Sequence, residues 1–214
     1  MTIDWGGLRR TEPVTRSFGF DRGTPVDRHY IEAFLERHAA DVKGRVLEVG
    51  DANYTHRFGG ARVTRADIYD RPGNPHATLQ GDLGGDANLP AAAFDCMIVT
   101  QTLLFVFDLA RAMKSLRDAL APGGVLLMTN PGISQIVRED MDREGDFWRF
   151  TTKSIETLAR DAFARDTVEV DSHGNVLASV AFLHGLAAEE LRADELAVRD
   201  PDYQLVVTLR AVAR

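Results

Sequence analysis

Gly50 follows the short apolar run Val46-Leu47-Glu48-Val49, and two aspartates follow it at spacings that could hold a nucleoside. An acid about 20 positions beyond a strand-ending glycine turn can accept both hydroxyls of a ribose. Asp67 lies near that distance, with Ile68 beside it. Asp82, in Gly81-Asp82-Leu83, is set to accept from an adenine amino group while Leu83 lies against the ring. In isolation each aspartate reads equally well as a cap or turn residue. Proton transfer needs a different group. His173, in Ser172-His173-Gly174-Asn175, has an ordinary pKa of about 6.5 and suits a base near neutrality. A turn histidine bonded to backbone is an equally good reading. Gln101, Thr102, Asn130, Trp148 and Arg149 sit where they could wall a substrate site.

These residues need elements to position them. Thr24-Pro25-Val26-Asp27 reads as a helix start, with Thr24 as cap and Pro25 in the first helical position. Ile31, Phe34, Leu35, His38 and Val42 give that helix one apolar face, and Gly44 ends it. Strands then alternate with helices. Arg45–Val49, Arg62–Ile68, His76–Gln80, Phe94–Thr100, Val125–Thr129, Thr167–Val170 and Tyr203–Val212 are the expected strands. Phe94–Thr100 is nearly continuous in apolar residues, as for a strand covered on both faces. Leu109, Ala112, Met113, Leu116 and Leu120 line a helix that stops at Pro122-Gly123-Gly124. Thr151 caps another, Val176–His184 reads as a helix buried all round, and Glu189–Leu196 as an exposed turn or two of helix. The expected fold is α/β, a doubly wound, mostly parallel sheet with helices on both faces. Ligands of such sheets bind beyond the carboxyl ends of the strands.

Taken together and in order, the pieces are more specific than any one of them. A Glu-x-Gly turn, an acid after the second strand, Gly-Asp-Leu, Phe-Asp-Cys-Met-Ile-Val, Gln-Thr-Leu and "LAPGGVLLMT" span Gly44 to Thr129. This set resembles the class I S-adenosylmethionine-dependent methyltransferases. The resemblance implies a Rossmann-like sheet of seven strands with the last inserted antiparallel. It also implies S-adenosylmethionine as cofactor, with Glu48, Gly50, Asp51, Ala52, Tyr54, Asp67, Ile68, Asp82, Leu83 and Gln101 around it. The glycine loop departs from the family pattern, since Ala52 and Tyr54 stand where further glycines are usual. S-adenosylmethionine has no pyrophosphate to lay on a helix N-terminus, so the need for closely spaced glycines is relaxed. Asp51 and Asn53 are expected to form the turn instead, Asn53 in left-handed geometry.

Residues 131–150 are too long and polar for a plain connector and read as a lid or acceptor wall. The aromatic run Phe147-Trp148-Arg149-Phe150 serves either that wall or a small core beneath it. Phe20 to Pro25 is expected to fold over the cofactor, where Arg22 or Arg28 could meet a carboxylate. The whole chain, 1–214, reads as one domain: an arm and cover helix at 1–43, a cofactor-binding core at 44–130, the lid at 131–150, and the C-terminal half of the sheet at 151–214.

Bulk properties narrow the function further. The chain has 214 residues, 44% hydrophobic and 27% charged, with a net charge of −7. That acidity argues against a nucleic-acid footprint. No apolar run is long enough to span a membrane, and the N-terminus does not read as a signal peptide. Cys96 is the single cysteine, so a disulfide within the chain is ruled out and a buried, inert thiol is expected. His184 reads as a satisfied core residue, and no group of residues has metal-ligand spacing. The expectation is a cytoplasmic monomer or homodimer that methylates a small molecule, on a hydroxyl of a sugar or secondary metabolite. Two rivals remain open: a methyltransferase-fold protein acting as partner or scaffold, and an enzyme using the cofactor for non-methyl chemistry.

Overall fold

The buried apolar runs pair edge to edge as strands β1 (Gly44–Val49), β2 (Val63–Asp70), β3 (Leu79–Gln80), β4 (Phe94–Thr100), β5 (Leu120–Pro131), β6 (Val168–His173) and β7 (Val206–Val212). In the computed structural model, which describes residues 6–163 and 167–214, they form one sheet in the order β3-β2-β1-β4-β5-β7-β6. The first five run parallel, and β7 lies antiparallel between β5 and β6. This is the α/β sheet expected from the sequence, with its antiparallel last strand.

Alternation along the strands divides the core in two. Val46, Ile98 and Leu127 face helix α1 (Val26–Arg37), which supplies Ile31, Phe34 and Leu35. Leu47, Met97 and Leu126 face the other way, against α2 (Leu109–Ala119) and α4 (Thr152–Ala162) through Met113, Leu116 and Ile155. Cys96 is fully buried on the α1 side, and burial pushes its thiol pKa up. Thr151 caps α4 in a reciprocal capping box with Ser154, closing its first turn.

Several boundaries differ from the sequence reading, each for a local reason. Strand β2 runs on to Asp70, because Tyr69 still pairs and is buried. Strand β3 keeps only two residues, and β7 starts at Val206 rather than Tyr203. Pro25, not Thr24, flanks α1, and no side chain caps that helix. Instead the segment before α1 is tied to the chain after α5 (Val176–Leu183). Ala188 N–H donates to the Thr24 carbonyl at 2.7 Å, Thr24 N–H donates to Glu189 at 2.9 Å, and Arg22 pairs with Glu190. Helix α5 is not buried all round: Ala178, Ala181 and Phe182 are inside, while Val176, Leu177 and Leu183 are exposed. Among the described residues, no helix is long and apolar enough to cross a membrane, and no group of three or more acidic, histidine or cysteine side chains could hold a metal ion.

Candidate active site

The carboxyl ends of β1, β2 and β4 meet on one edge of the sheet, and the turn after β1 is the first part of the site. Gly50 has φ +91°, a left-handed value that any side chain would resist. From there two carboxylates do the work of the absent glycines. Asp51 accepts the backbone N–H of Asn53 at 2.8 Å and its side-chain amide at 2.9 Å. Glu48, 2% exposed, accepts the N–H groups of Tyr54 at 3.2 Å and Thr55 at 2.7 Å. The chain therefore enters a helical turn at Asn53, which does not take the left-handed geometry expected for it. Burial drives the Glu48 carboxyl pKa up to about 7, against the lowering pull of those amides.

Strand β2 delivers Asp70, not Asp67, to this edge. Asp67 is buried three residues earlier, bound by Arg45 at 2.7 Å, Arg65 at 2.9 Å and the Thr78 hydroxyl at 3.0 Å. Burial alone would raise its pKa, but these partners outweigh it and hold the carboxyl below its ordinary value. Asp67 is thus a structural ion-pair residue, and Ile68 likewise lines no cavity at this edge. Asp70 lies about 20 residues beyond Gly50, the usual interval for a ribose acid. Its carboxylate accepts from Arg71 N–H at 2.7 Å and from the Asn74 amide at 2.8 Å, and that amide also donates to the Gly50 carbonyl at 2.9 Å. Asn74 therefore locks the acid to the glycine turn. The sequence signal for Asp70 was the Pro72-Gly73 that follows it, a turn dipeptide marking where β2 must stop.

Three adjoining cavities open here. One of about 330 Å³ is lined by Gly50, Asp70, Gly81, Asp82, Leu83 and Thr102. At Gly81 a Cβ would come 2.3 Å from the Ala87 carbonyl, so only glycine fits beside this floor. A second, more open hollow holds Arg28, Glu48, Asp51, Tyr54 and Thr100. A third, of about 300 Å³, lies between the arm, the lid and α5, with Phe18, Asp27, Gln101, Gln135 and Phe182 among its walls. Gln101 and Phe105 line both the first and the third. Gln101 has φ +49°, and its buried Oε1 has no partner. A non-glycine residue strained in this way at the junction of two cavities is characteristic of functional sites. The 131–150 segment is tied to this edge: Arg71 pairs with Glu144 and donates to the Phe105 carbonyl at 3.1 Å, while Asp140 of α3 (Arg138–Arg143) borders both cavities.

Other expected site residues lie elsewhere. His173 is the last residue of β6, 7% exposed, stacked on Tyr30 with ring centroids 6.0 Å apart and 3.4 Å from the Thr208 hydroxyl. Burial lowers its pKa to about 4, and it borders none of the three cavities. Asn130 is fully buried in β5, its amide without a partner and away from those walls. Trp148 donates to the Val106 carbonyl at 3.0 Å and packs against the core. Arg149 is spent on Asp146 and on the carbonyls of Ser134 and Gln135, so it braces the lid. Ala52 lines none of the cavities, and Thr102 faces the first rather than the third. His184 is half-buried with its Nδ1 unpartnered, rather than satisfied. Of the two arginines in the arm, Arg22 is taken by Glu190, while Arg28 borders a cavity with Nη1 3.4 Å from the Tyr54 hydroxyl. Asp27 went unnoticed as a site residue; nothing local marks it, because only the folding of the arm over α5 brings it to the site.

Comparison with known proteins agrees with this geometry. Residues 47–128 match a family described as a methyltransferase domain. No protein of curated function matches the sequence. Among solved structures, an S-adenosylmethionine-dependent methyltransferase from Mesorhizobium loti is similar at 20% identity, TM-score 0.57, over 91% of this chain and 100% of that one. A putative methyltransferase from Haloferax volcanii, solved with the activator Trm112, is similar at 19% identity and TM-score 0.55, over 87% and 90%. The cyclase SpnF shares the fold at 18% identity and TM-score 0.55, over 94% and 89%. Residues 47–128 thus carry the pattern of a methyltransferase domain, within a chain that has the fold of S-adenosylmethionine-dependent methyltransferases.

Proposed function

We propose that this chain transfers a methyl group from S-adenosylmethionine to the hydroxyl oxygen of a small molecule held beneath the lid. The observation that carries the reading is the junction at Gln101, where a cavity bordered by Gly50, Asp70, Asp82 and Leu83 adjoins one walled by Phe18, Phe105 and Phe182. The residues present suit the cofactor. Asp70 replaces Asp67 as the acceptor for the ribose hydroxyls, each carboxylate oxygen keeping a lone pair beyond its protein bond. Asp82 and Leu83 serve the adenine, and Arg28, beside Tyr54, is the cation for the methionine carboxylate. The bound cofactor would supply an electrophilic methyl group on a positively charged sulfur. The protein then has to align the acceptor and keep water out, which the lid, the arm and the apolar walls favour.

The apolar walls argue for an acceptor less polar than a free sugar. The neighbours' names range from methyl transfer to cyclisation, so the fold alone does not choose the acceptor. Calorimetry with S-adenosylhomocysteine is the first test, and saturable one-to-one binding is expected. A labelled-methyl screen of phenols and sugars with the whole chain then follows. Absence of any binding would sink the reading in favour of a scaffold role.

A further inference from the structure

We propose that Asp27 is the base of this reaction, and that the acceptor is a phenol: a flat apolar molecule presenting one hydroxyl to that carboxylate. The inference rests on the methyl-transfer reading above and deepens it.

The third cavity carries the argument. Its walls are mainly apolar and aromatic, including Phe18, Phe20, Leu104, Phe105, Phe182 and Leu205. About 300 Å³ lies at the small end of ligand-sized cavities, enough for a compact ring system. Asp27 opens into it from the first turn of α1, half-buried. One oxygen of Asp27 accepts the N–H of Arg28 at 2.8 Å, and among the described residues no salt bridge engages the carboxylate. The charged groups around it are few. The Arg28 guanidinium leans toward the Tyr54 hydroxyl, and Asp140 and Asp146 border the cavity from the lid, Asp146 already paired with Arg149. Burial raises the Asp27 pKa against the lowering pull of the neighbouring Arg28 charge, which strengthens it as a base.

A second observation points to a hydroxyl ligand. The Oε1 atoms of Gln101 and Gln135 are both buried, both unpartnered and both on residues lining this cavity. Buried polar atoms without partners are rare in folded proteins, and a turn of either side-chain amide toward the cavity would let a bound hydroxyl partner it. Gln101 also borders the nucleoside cavity, so a hydroxyl near it lies on the path between the two.

The step balances without any further reactant. The acceptor O–H bond breaks and its proton passes to the free oxygen of Asp27. The electron pair on the acceptor oxygen forms the new bond to the methyl carbon, and the carbon–sulfur bond breaks with its pair going to sulfur. Asp27 then returns the proton to water.

The test uses the full chain loaded with S-adenosylhomocysteine and 4-nitrophenol as probe. At a pH where free 4-nitrophenol is mostly ionised, binding beside Asp27 should draw in about one proton, because two facing anions share it. Calorimetry in two buffers of different ionisation enthalpy reads that uptake directly. Asp27→Asn should abolish the uptake while leaving S-adenosylhomocysteine affinity within a fewfold, which also shows that the variant folds. With phenols that are turned over, the same variant should lose about a hundred- to ten-thousandfold in kcat. That loss should shrink as the phenol becomes more acidic. Failure of the loaded protein to bind the probe, or equal proton uptake by wild type and Asp27→Asn, would overturn the proposal and leave cofactor binding untouched. Failure to bind S-adenosylhomocysteine at all would instead overturn the reading beneath it.

Discussion

Replacing Asp70 with asparagine separates the two candidate ribose acids most cleanly. The change keeps size and shape and removes the charge. Hydrogen bonds from a ribose to a carboxylate are charge-assisted, and losing that assistance costs about 1.5–3 kcal/mol. Asp70→Asn should therefore weaken S-adenosylhomocysteine binding roughly ten- to hundredfold by calorimetry. Asp70 also holds Asn74, which holds the Gly50 carbonyl, so part of any loss could come through the turn. Asn74→Ala isolates that part, and it should cost clearly less than Asp70→Asn. Asp67→Asn is the opposite case. It breaks a buried carboxylate away from Arg45 and Arg65 and should lower stability by about 1–3 kcal/mol. For a chain of this length each kcal/mol moves Tm by about 2–4 °C. The folded pKa of Asp67 is depressed, so its contribution is present above the unfolded value of about 3.9 and is lost as pH falls through the folded one. Asp67→Asn should flatten that acid limb and leave cofactor affinity unchanged. Equal losses of affinity in Asp67→Asn and Asp70→Asn, or none in Asp70→Asn, would refute this account of the site.

Glu48 has the reverse sign: its folded pKa of about 7 exceeds the unfolded 4.5, so stability should decline as pH rises between them. That decline is of order 3 kcal/mol, and Glu48→Gln should remove it in denaturant titrations run across this range. Gly50→Ala should weaken cofactor binding, because alanine resists φ +91°, whereas Asn53→Val keeps the backbone bond to Asp51 and should lose only the side-chain amide bond, about 0.5–1.5 kcal/mol of stability; a larger effect on binding from Asn53→Val than from Gly50→Ala would contradict the turn geometry. His173→Gln should leave turnover within a fewfold, since the ring touches Tyr30 and Thr208 and no cavity wall. A loss beyond about a hundredfold would put His173 back in the chemistry.

The parts legible in the sequence were those set by local pattern. Phe94–Thr100 and the Thr151 cap fall where periodicity and capping chemistry put them, because nothing distant competes with those signals. The acid that reaches the site edge lies three residues beyond the expected one, for a physical reason. The charged Arg65 and Asp67 within β2 resemble a strand end, yet each neutralises the other and the strand continues. His173 was attractive as the one titratable residue near neutrality beyond β6, but chemistry at a strand end does not ensure a place in a cavity. Its carbonyl accepts from Leu205 N–H at 2.9 Å, and its ring packs inward against α1. Asp27 was invisible for the converse reason. Its role depends on the pairing of Thr24 with Ala188, a contact between segments some 160 residues apart in the chain.

That division follows the division of labour within the site. The matched span, residues 47–128, contains Gly50, Asp70, Asp82 and Gln101, which line the first cavity, the one proposed for the cofactor. The third cavity draws most of its walls from outside that span: Phe18, Phe20, Asp27, Gln135, Phe182 and Leu205. A cofactor of fixed shape constrains a compact stretch of strand ends, so its site persists as recognisable local sequence. An acceptor imposes no such common demand, and its cavity can be assembled from an arm, a lid and a late helix by tertiary contacts alone. The ties that close it here are specific ones, Arg22 to Glu190, Thr24 to Ala188 and Arg71 to Glu144. Each joins a surface segment to another segment rather than to the sheet. On the proposed reading, Arg22→Ala or Arg71→Ala should alter which phenols are methylated in a labelled-methyl assay while leaving S-adenosylhomocysteine affinity within a fewfold, and unchanged acceptor preference in both would refute it.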